Sequence, residues 1–164
     1  MKSIFLFVAL FATTLIQNSF GQLVPTHRED STISKPSALL TSYYNLKDAL
    51  VSSNANTAAA SAAEFLTAVN GLDTAIVKAE SRNALLDDAV AISQTKDLNA
   101  QRVKFATLSA NMYILAKTVK LSPEPVYQQY CPMKKASWLS DVKAIKNPYY
   151  GNAMLTCGSV KETL

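Results

Sequence analysis

The sequence predicts an all-α fold: an antiparallel four-helix bundle followed by an irregular C-terminal segment rich in cysteine, methionine and aromatic residues. Three observations predict it. Apolar residues recur at helical spacing between positions 36 and 121, no stretch shows a convincing two-residue alternation, and four glycines with six prolines are too few for a turn-rich β fold. A hydrophobic fraction of 49% against 17% charged residues is that of a chain that buries a core, and one domain is expected at this length.

The elements follow in order. The opening MKSIFLFVALFATTLIQNSFGQ has Lys2 as a charged start, an apolar run over 4–16, and small Ser19 and Gly21 at the spacing that signal peptidase reads. A signal peptide over 1–21, cleaved after Gly21, places the mature protein in the periplasm or outside the cell. The apolar run is shorter than the roughly 20 residues of a comfortable membrane span, and no second run follows. No membrane span is therefore expected after cleavage; an uncleaved N-terminal anchor is the alternative. Residues 22–35 are polar, lack periodicity and hold the single histidine, His27, so they read as a flexible leader.

The bundle is expected over 36–121. Pro36 suits a first helical turn, and Leu39, Tyr43, Leu46 and Leu50 follow in steps of four, three and four. After Asn54-Ala55-Asn56 a second helix presents Ala58, Ala62, Phe65, Val69, Leu72 and Ile76, its phase continuing across Asn70-Gly71. A third runs over 81–93 with Leu85, Ala89 and Ile92 inward. The fourth, over 97–121, turns Leu98, Phe105, Leu108, Met112, Leu115 and Val119 to the core, which makes Met112 a packing residue. Short links between such segments predict antiparallel neighbours.

Ser122-Pro123-Glu124-Pro125 stops the bundle, since proline cannot continue a helix. The segment 122–164 then carries Tyr127, Tyr130, Trp138, Tyr149 and Tyr150, rings suited to pinning an irregular chain onto helices. A short helix is expected over 137–145, a turn at Asn147-Pro148 with Gly151, and at most brief strand pairing around Tyr130 or Thr156.

Chemistry concentrates in this segment. Cys131 stands two residues before Met133, and Met154 three residues before Cys157, so a reversal near Asn147-Pro148 gathers four sulfurs. Thiolates and thioethers select Cu(I) and related soft ions, and these four residues are the candidate metal ligands. The competing reading is a disulfide between Cys131 and Cys157, because two cysteines in an oxidising compartment usually pair. No catalytic or cofactor-binding residue is predicted. There is no phosphate loop, Asp87 and Asp88 are adjacent on a helix and point apart, and His27 is the only imidazole for a Cys-His pair. The protein is expected not to be an enzyme. Its net charge of +4 and pI near 9.0 come from a C-terminal excess in which Lys117, Lys120, Lys134, Lys135, Lys143 and Lys146 outnumber Glu124 and Asp141. Without a nucleic-acid motif this reads as a solvated face, and no nucleic-acid partner is expected.

The runs DLNAQRVKFATLSANMYILAK, VYQQYCPM, WLS and IKNPYYGNAMLTCG resemble an uncharacterised family of exported bacterial domains frequent in the Bacteroidetes. In that family the domain occurs as stand-alone secreted proteins and as the C-terminal domain of some periplasmic adaptor subunits of heavy-metal, copper and silver efflux pumps. The likeness runs from about Pro36 to Val160 and includes Cys131, Met133, Asn147, Pro148, Tyr149, Gly151, Met154, Cys157 and Gly158. The CPM run is also similar to the opening of small heavy-metal-binding modules, with Lys134 standing where those carry His. The resemblance implies a setting and no established activity. Two functions are expected from it and from the sulfurs. One is an exported binder of copper, as Cu(I), or of another soft heavy-metal ion, for sequestration or transfer to an efflux pump or other envelope protein. The other is a non-metal interaction module of the envelope with Cys131-Cys157 as a structural disulfide.

Overall fold

Leu39, Tyr43, Leu46 and Leu50 are all fully buried on one face of helix α1, Lys35–Val51, as their spacing requires. The computed structural model describes residues 35–164. The predicted signal peptide at 1–21 and the leader up to residue 34, with His27, lie outside the described residues. α1 ends where Ser53 turns to φ 55°, and Asn54 immediately caps α2, Ala55–Asn70, its side-chain oxygen accepting the Thr57 N–H at 3.0 Å. Buried Ala58, Ala62, Phe65 and Val69 face α1, and the small alanines let the two helices approach closely.

α2 does not continue across Gly71. The Arg82 guanidinium donates to the carbonyls of Asn70 and Leu72, and Asp73 receives the Ala75 N–H in a local turn. Leu72 stays buried, yet Ile76, expected inward, is exposed and Val77 takes its place. α3, Ala79–Ser93, buries Leu85, Ala89 and Ile92. α4, Leu98–Thr118, is capped by Asp97 and buries Phe105, Leu108, Met112 and Leu115, so Met112 is indeed a core residue. Fully buried Gln101 donates to the carbonyls of Ala55 and Thr95, both at 2.9 Å, satisfying backbone where three helices meet. Each helix packs on the next in sequence.

The all-α prediction is wrong for the C-terminal part, which forms a three-stranded antiparallel sheet in the order β2-β1-β3. Its strands are β1, Tyr127–Cys131; β2, Ala136–Ser140; and β3, Ser159–Thr163. The expected helix over 137–145 is therefore a strand followed by bends, and the pairing expected near Tyr130 is real. Polar residues hid these strands. β1 alternates Gln129 and Cys131 inward, and the Gln129 amide is fully buried, donating to the Val142 carbonyl at 2.8 Å. β3 is almost wholly exposed and carries no apolar stripe. A short 3₁₀ helix, Gly151–Met154, precedes β3.

Four rings join the helices to the sheet. Tyr43 stacks on Phe105 with centroids 5.4 Å apart; Phe105 meets Tyr149 at 6.0 Å, and Tyr149 meets Trp138 edge-on at 5.9 Å. The Tyr43 hydroxyl pairs with Ser109 at 2.8 Å and accepts the Leu139 N–H at 3.0 Å. Phe105→Ala is expected to cost about 3–5 kcal/mol in denaturant unfolding, against less than about 0.5 kcal/mol for exposed Val103→Ala. Tyr43→Phe keeps the ring and leaves a buried N–H unpaired, so about 1–3 kcal/mol is expected from the hydroxyl alone. Equal effects at positions 103 and 105 would overturn the helix orientation.

Candidate functional site: a cysteine pair on the sheet

Cys131 is the last residue of β1 and is fully buried; Cys157 lies two residues before β3 and is partly exposed. Their sulfurs are 3.5 Å apart and both cysteines are free. Three pieces of local structure produce this. A four-residue hairpin turn, Pro132 to Lys135, closes β1 onto β2, with Lys135 at φ 55°. It points the N–H groups of Lys134 and Met133 back at the Cys131 sulfur. On the far side, antiparallel pairing of Tyr130 with Ser159 draws the 157–158 segment alongside the end of β1. Gly158, at φ 152°, completes the fit. A Cβ there would come within 2.9 Å of the Trp138 ring and 3.0 Å of the Tyr130 carbonyl.

Asn147 holds the arrangement from beneath. It is fully buried and uses every polar group it has: its N–H donates to the Leu155 carbonyl, its carbonyl accepts from Gly151, its Oδ1 accepts the Tyr149 N–H at 2.8 Å, and its Nδ2 donates to the Cys157 carbonyl at 2.8 Å. The same side chain hydrogen-bonds the Cys131 sulfur. Arg102 fixes the turn that carries Asn147 by donating to the carbonyls of Pro148 and Leu50 and to Ser53. Gly151, at φ 54°, has no room for a side chain against Val51 and Arg102.

The two thiols are electrostatically unlike. Burial alone pushes Cys131 up, but the Lys134 N–H, the Cys157 thiol, the Asn147 amide and the Met133 N–H outweigh it and hold Cys131 below the ordinary cysteine range. Cys157 moves the other way. Its proton is shared with Cys131, and burial and the neighbouring charge add to the rise, with the Met133 N–H opposing. As pH rises, the first negative charge on the pair therefore falls on Cys131.

Of the four sulfurs singled out in the sequence, the structure brings the two cysteines together. Met133 lies in the hairpin turn with its side chain 64% exposed, and it serves the pair through its backbone N–H. Met154 is half-buried in the 3₁₀ helix, its carbonyl accepting the Cys157 N–H at 3.1 Å. Among the described residues no three His, Cys, Asp or Glu side chains gather. Asn147 is expected from the sequence as a turn residue, but neither its contacts beneath the sulfurs nor the turn amides are. Cys-Pro opening a tight turn, and Asn preceding Pro-Tyr-Tyr-Gly, were the signals available.

Residues 39–124 match the family described as protein of unknown function (DUF3347), 86 of 164 positions, and the chain belongs to that family. The match spans most of α1 and all of α2 to α4 and ends before β1, so the sulfur pair lies beyond it. No curated protein and no solved structure matches the chain. Among the described residues no helix is long and apolar enough to cross a membrane.

Thiolate absorbance near 240 nm should resolve two steps in the reduced protein, one below the ordinary cysteine range and one above it. Because the folded value of Cys131 is depressed, the stability it contributes is present above the unfolded cysteine value and is lost as pH falls through the folded one. Cys157→Ala removes a donor to Cys131, so the upper step should vanish and the lower one move up. A single unshifted step for both thiols would show that the pair is not coupled.

Proposed function

We propose that this member of a family of unknown function is an exported soft-metal binder in which Cys131 and Cys157 hold Cu(I) or a related heavy-metal ion. The observation that carries the reading is the pair of free cysteine sulfurs 3.5 Å apart. Two sulfurs each about 2.3 Å from an ion stand about 3.5 Å apart when the angle at the ion is roughly 100°, and about 4.6 Å apart when it is linear. The spacing thus suits a bent dithiolate with an open side. Two thiolates with no cluster of His, Asp or Glu side chains among the described residues form a donor set for a soft monovalent ion rather than for zinc, which takes four ligands in structural sites.

Met133 and Met154 are the sulfurs next in sequence to the pair, and their thioethers supply the remaining ligands in this reading. Met133 lies on the exposed hairpin turn, and in this reading its thioether closes over the ion. Sequestration, or delivery to an efflux pump or other envelope protein, is the role that fits an accessible ion, and the C-terminal motifs' likeness to efflux-adaptor domains supports delivery. The second reading is a disulfide staple in a non-metal interaction module. It draws on the same sulfur proximity and on the exposure of β3, whose start the bond would tie to β1.

Anaerobic titration of the reduced protein with Cu(I) against a competing chelator separates the readings. One tight equivalent per chain is expected, lost in Cys131→Ser and in Cys157→Ser and weakened in Met133→Leu and Met154→Leu, with helix content unchanged. Full affinity in the cysteine variants, or no binding by reduced wild type, would overturn the metal reading. Thiol counting on protein taken directly from the envelope, if it found the pair wholly oxidised, would favour the staple.

A further inference from the structure

The two cysteines differ in access and in chain setting, and both differences favour the same division of labour. Cys157 Sγ is on the partly exposed residue, while Cys131 is fully buried. Their chain settings differ too: Cys131 ends β1 and leads directly into the tight Pro132–Lys135 turn with its backbone N–H groups, whereas Cys157 lies in the entry to exposed β3. Exchange through a disulfide is fastest when the attacked sulfur is accessible and the departing sulfur is stabilised as a thiolate. We propose that the pair catalyses thiol–disulfide exchange with low-molecular-weight thiols, Cys157 being the sulfur that meets the external partner and Cys131 the leaving and resolving thiolate. This rests on the geometry of the pair and not on metal binding.

Each step balances. Starting from the disulfide form, an external thiolate attacks Cys157 Sγ; the new bond joins the external sulfur to Cys157, and the Cys131–Cys157 bond breaks with its electron pair departing on Cys131. The tight turn that directly follows Cys131 offers its backbone N–H groups to that charge, and the β1–β2 pairing holds the turn in place. A second external thiolate attacks the external sulfur of the mixed disulfide, releasing the small disulfide, and Cys157 takes a proton from water. In reverse, Cys157 as thiolate attacks a small disulfide, expelling one thiolate. Cys131 then attacks Cys157 Sγ and expels the second, so the dithiol is oxidised by two electrons and the small disulfide reduced by two. Closing the sulfurs from 3.5 Å to a bond of about 2.05 Å needs a shift on the scale of a side-chain rotation.

The test uses the full chain with glutathione and oxidised glutathione as probes. Oxidised wild-type protein is mixed with glutathione, acid-quenched and mapped by mass spectrometry; the adduct is expected on Cys157. Under oxidised glutathione, native Cys131→Ser should accumulate a stable mixed disulfide at Cys157, and Cys157→Ser should react at least about tenfold more slowly until denatured. Circular dichroism on both variants confirms that they are folded. An adduct chiefly on Cys131, equal rates in the two folded variants, or a native disulfide inert to glutathione would overturn the proposal. The Cu(I) titration is made on reduced protein, so an inert disulfide would leave the metal reading standing, and failure to bind Cu(I) would leave exchange standing.

Discussion

The hydroxyl of Tyr43 is the contact on which the two layers depend. It is fully buried, pairs with Ser109 of α4, and accepts an N–H from Leu139 in β2, an edge strand of the sheet. An edge strand presents unpaired backbone groups, and a helix residue that satisfies one of them both covers the edge and sets where the sheet sits. Burial pushes the Tyr43 phenol well above its ordinary range, so it stays neutral and keeps its proton for Ser109 or a lone pair for Leu139 across working pH. From that ring the packing runs through Phe105 and Tyr149 to Trp138, whose far edge abuts Gly158 beside Cys157. The position of the sulfur pair is thus inherited from the helical core.

The helical half was legible because its signals are redundant. Leu85, Ala89 and Ile92 repeat the inward spacing, and Asp97 adds a cap at the start of α4. The misplaced end of α2 shows where redundancy fails. Phase alone carried the helix on to Ile76, but a distant Arg82 captures the terminal carbonyls and Asp73 offers the backbone a competing turn. Capping by a residue on the next helix leaves no local pattern to read. Gln101 is similar: in sequence it is one more polar residue near a helix start, and only the meeting of three helices buries it and gives its Nε2 carbonyl partners, its Oε1 remaining without one.

The sheet was missed for a different reason. A strand declares itself by apolar alternation, and β1 alternates a glutamine with a cysteine on its inner face. Carbonyls of the 142–144 bends accept the protons of that amide, partners that exist only once the chain has folded back, while its buried Oε1 has none. β3 has no buried apolar face at all and is held by its pairing with β1, the Val126–Leu164 backbone bonds, and the contacts of Glu162 with Tyr113 and Lys117 on α4. Periodicity has nothing to detect in such a strand.

That missed sheet is also what makes the sulfurs unequal. The notion of a chain reversal near Asn147-Pro148 suffices to bring two cysteines near each other, and it treats them as equivalent. The hairpin turn from β1 to β2 supplies the Lys134 N–H to Cys131 alone and the Met133 N–H to both, and the entry into β3 leaves Cys157 partly exposed. Asn147 links the two by bonding the Cys157 carbonyl and the Cys131 sulfur with one amide. Any change that loosens this amide should equalise the two thiols before it separates them, because strand pairing fixes the distance while hydrogen bonding fixes the asymmetry. The chemistry of the pair therefore depends on strand register as much as on the identity of its residues.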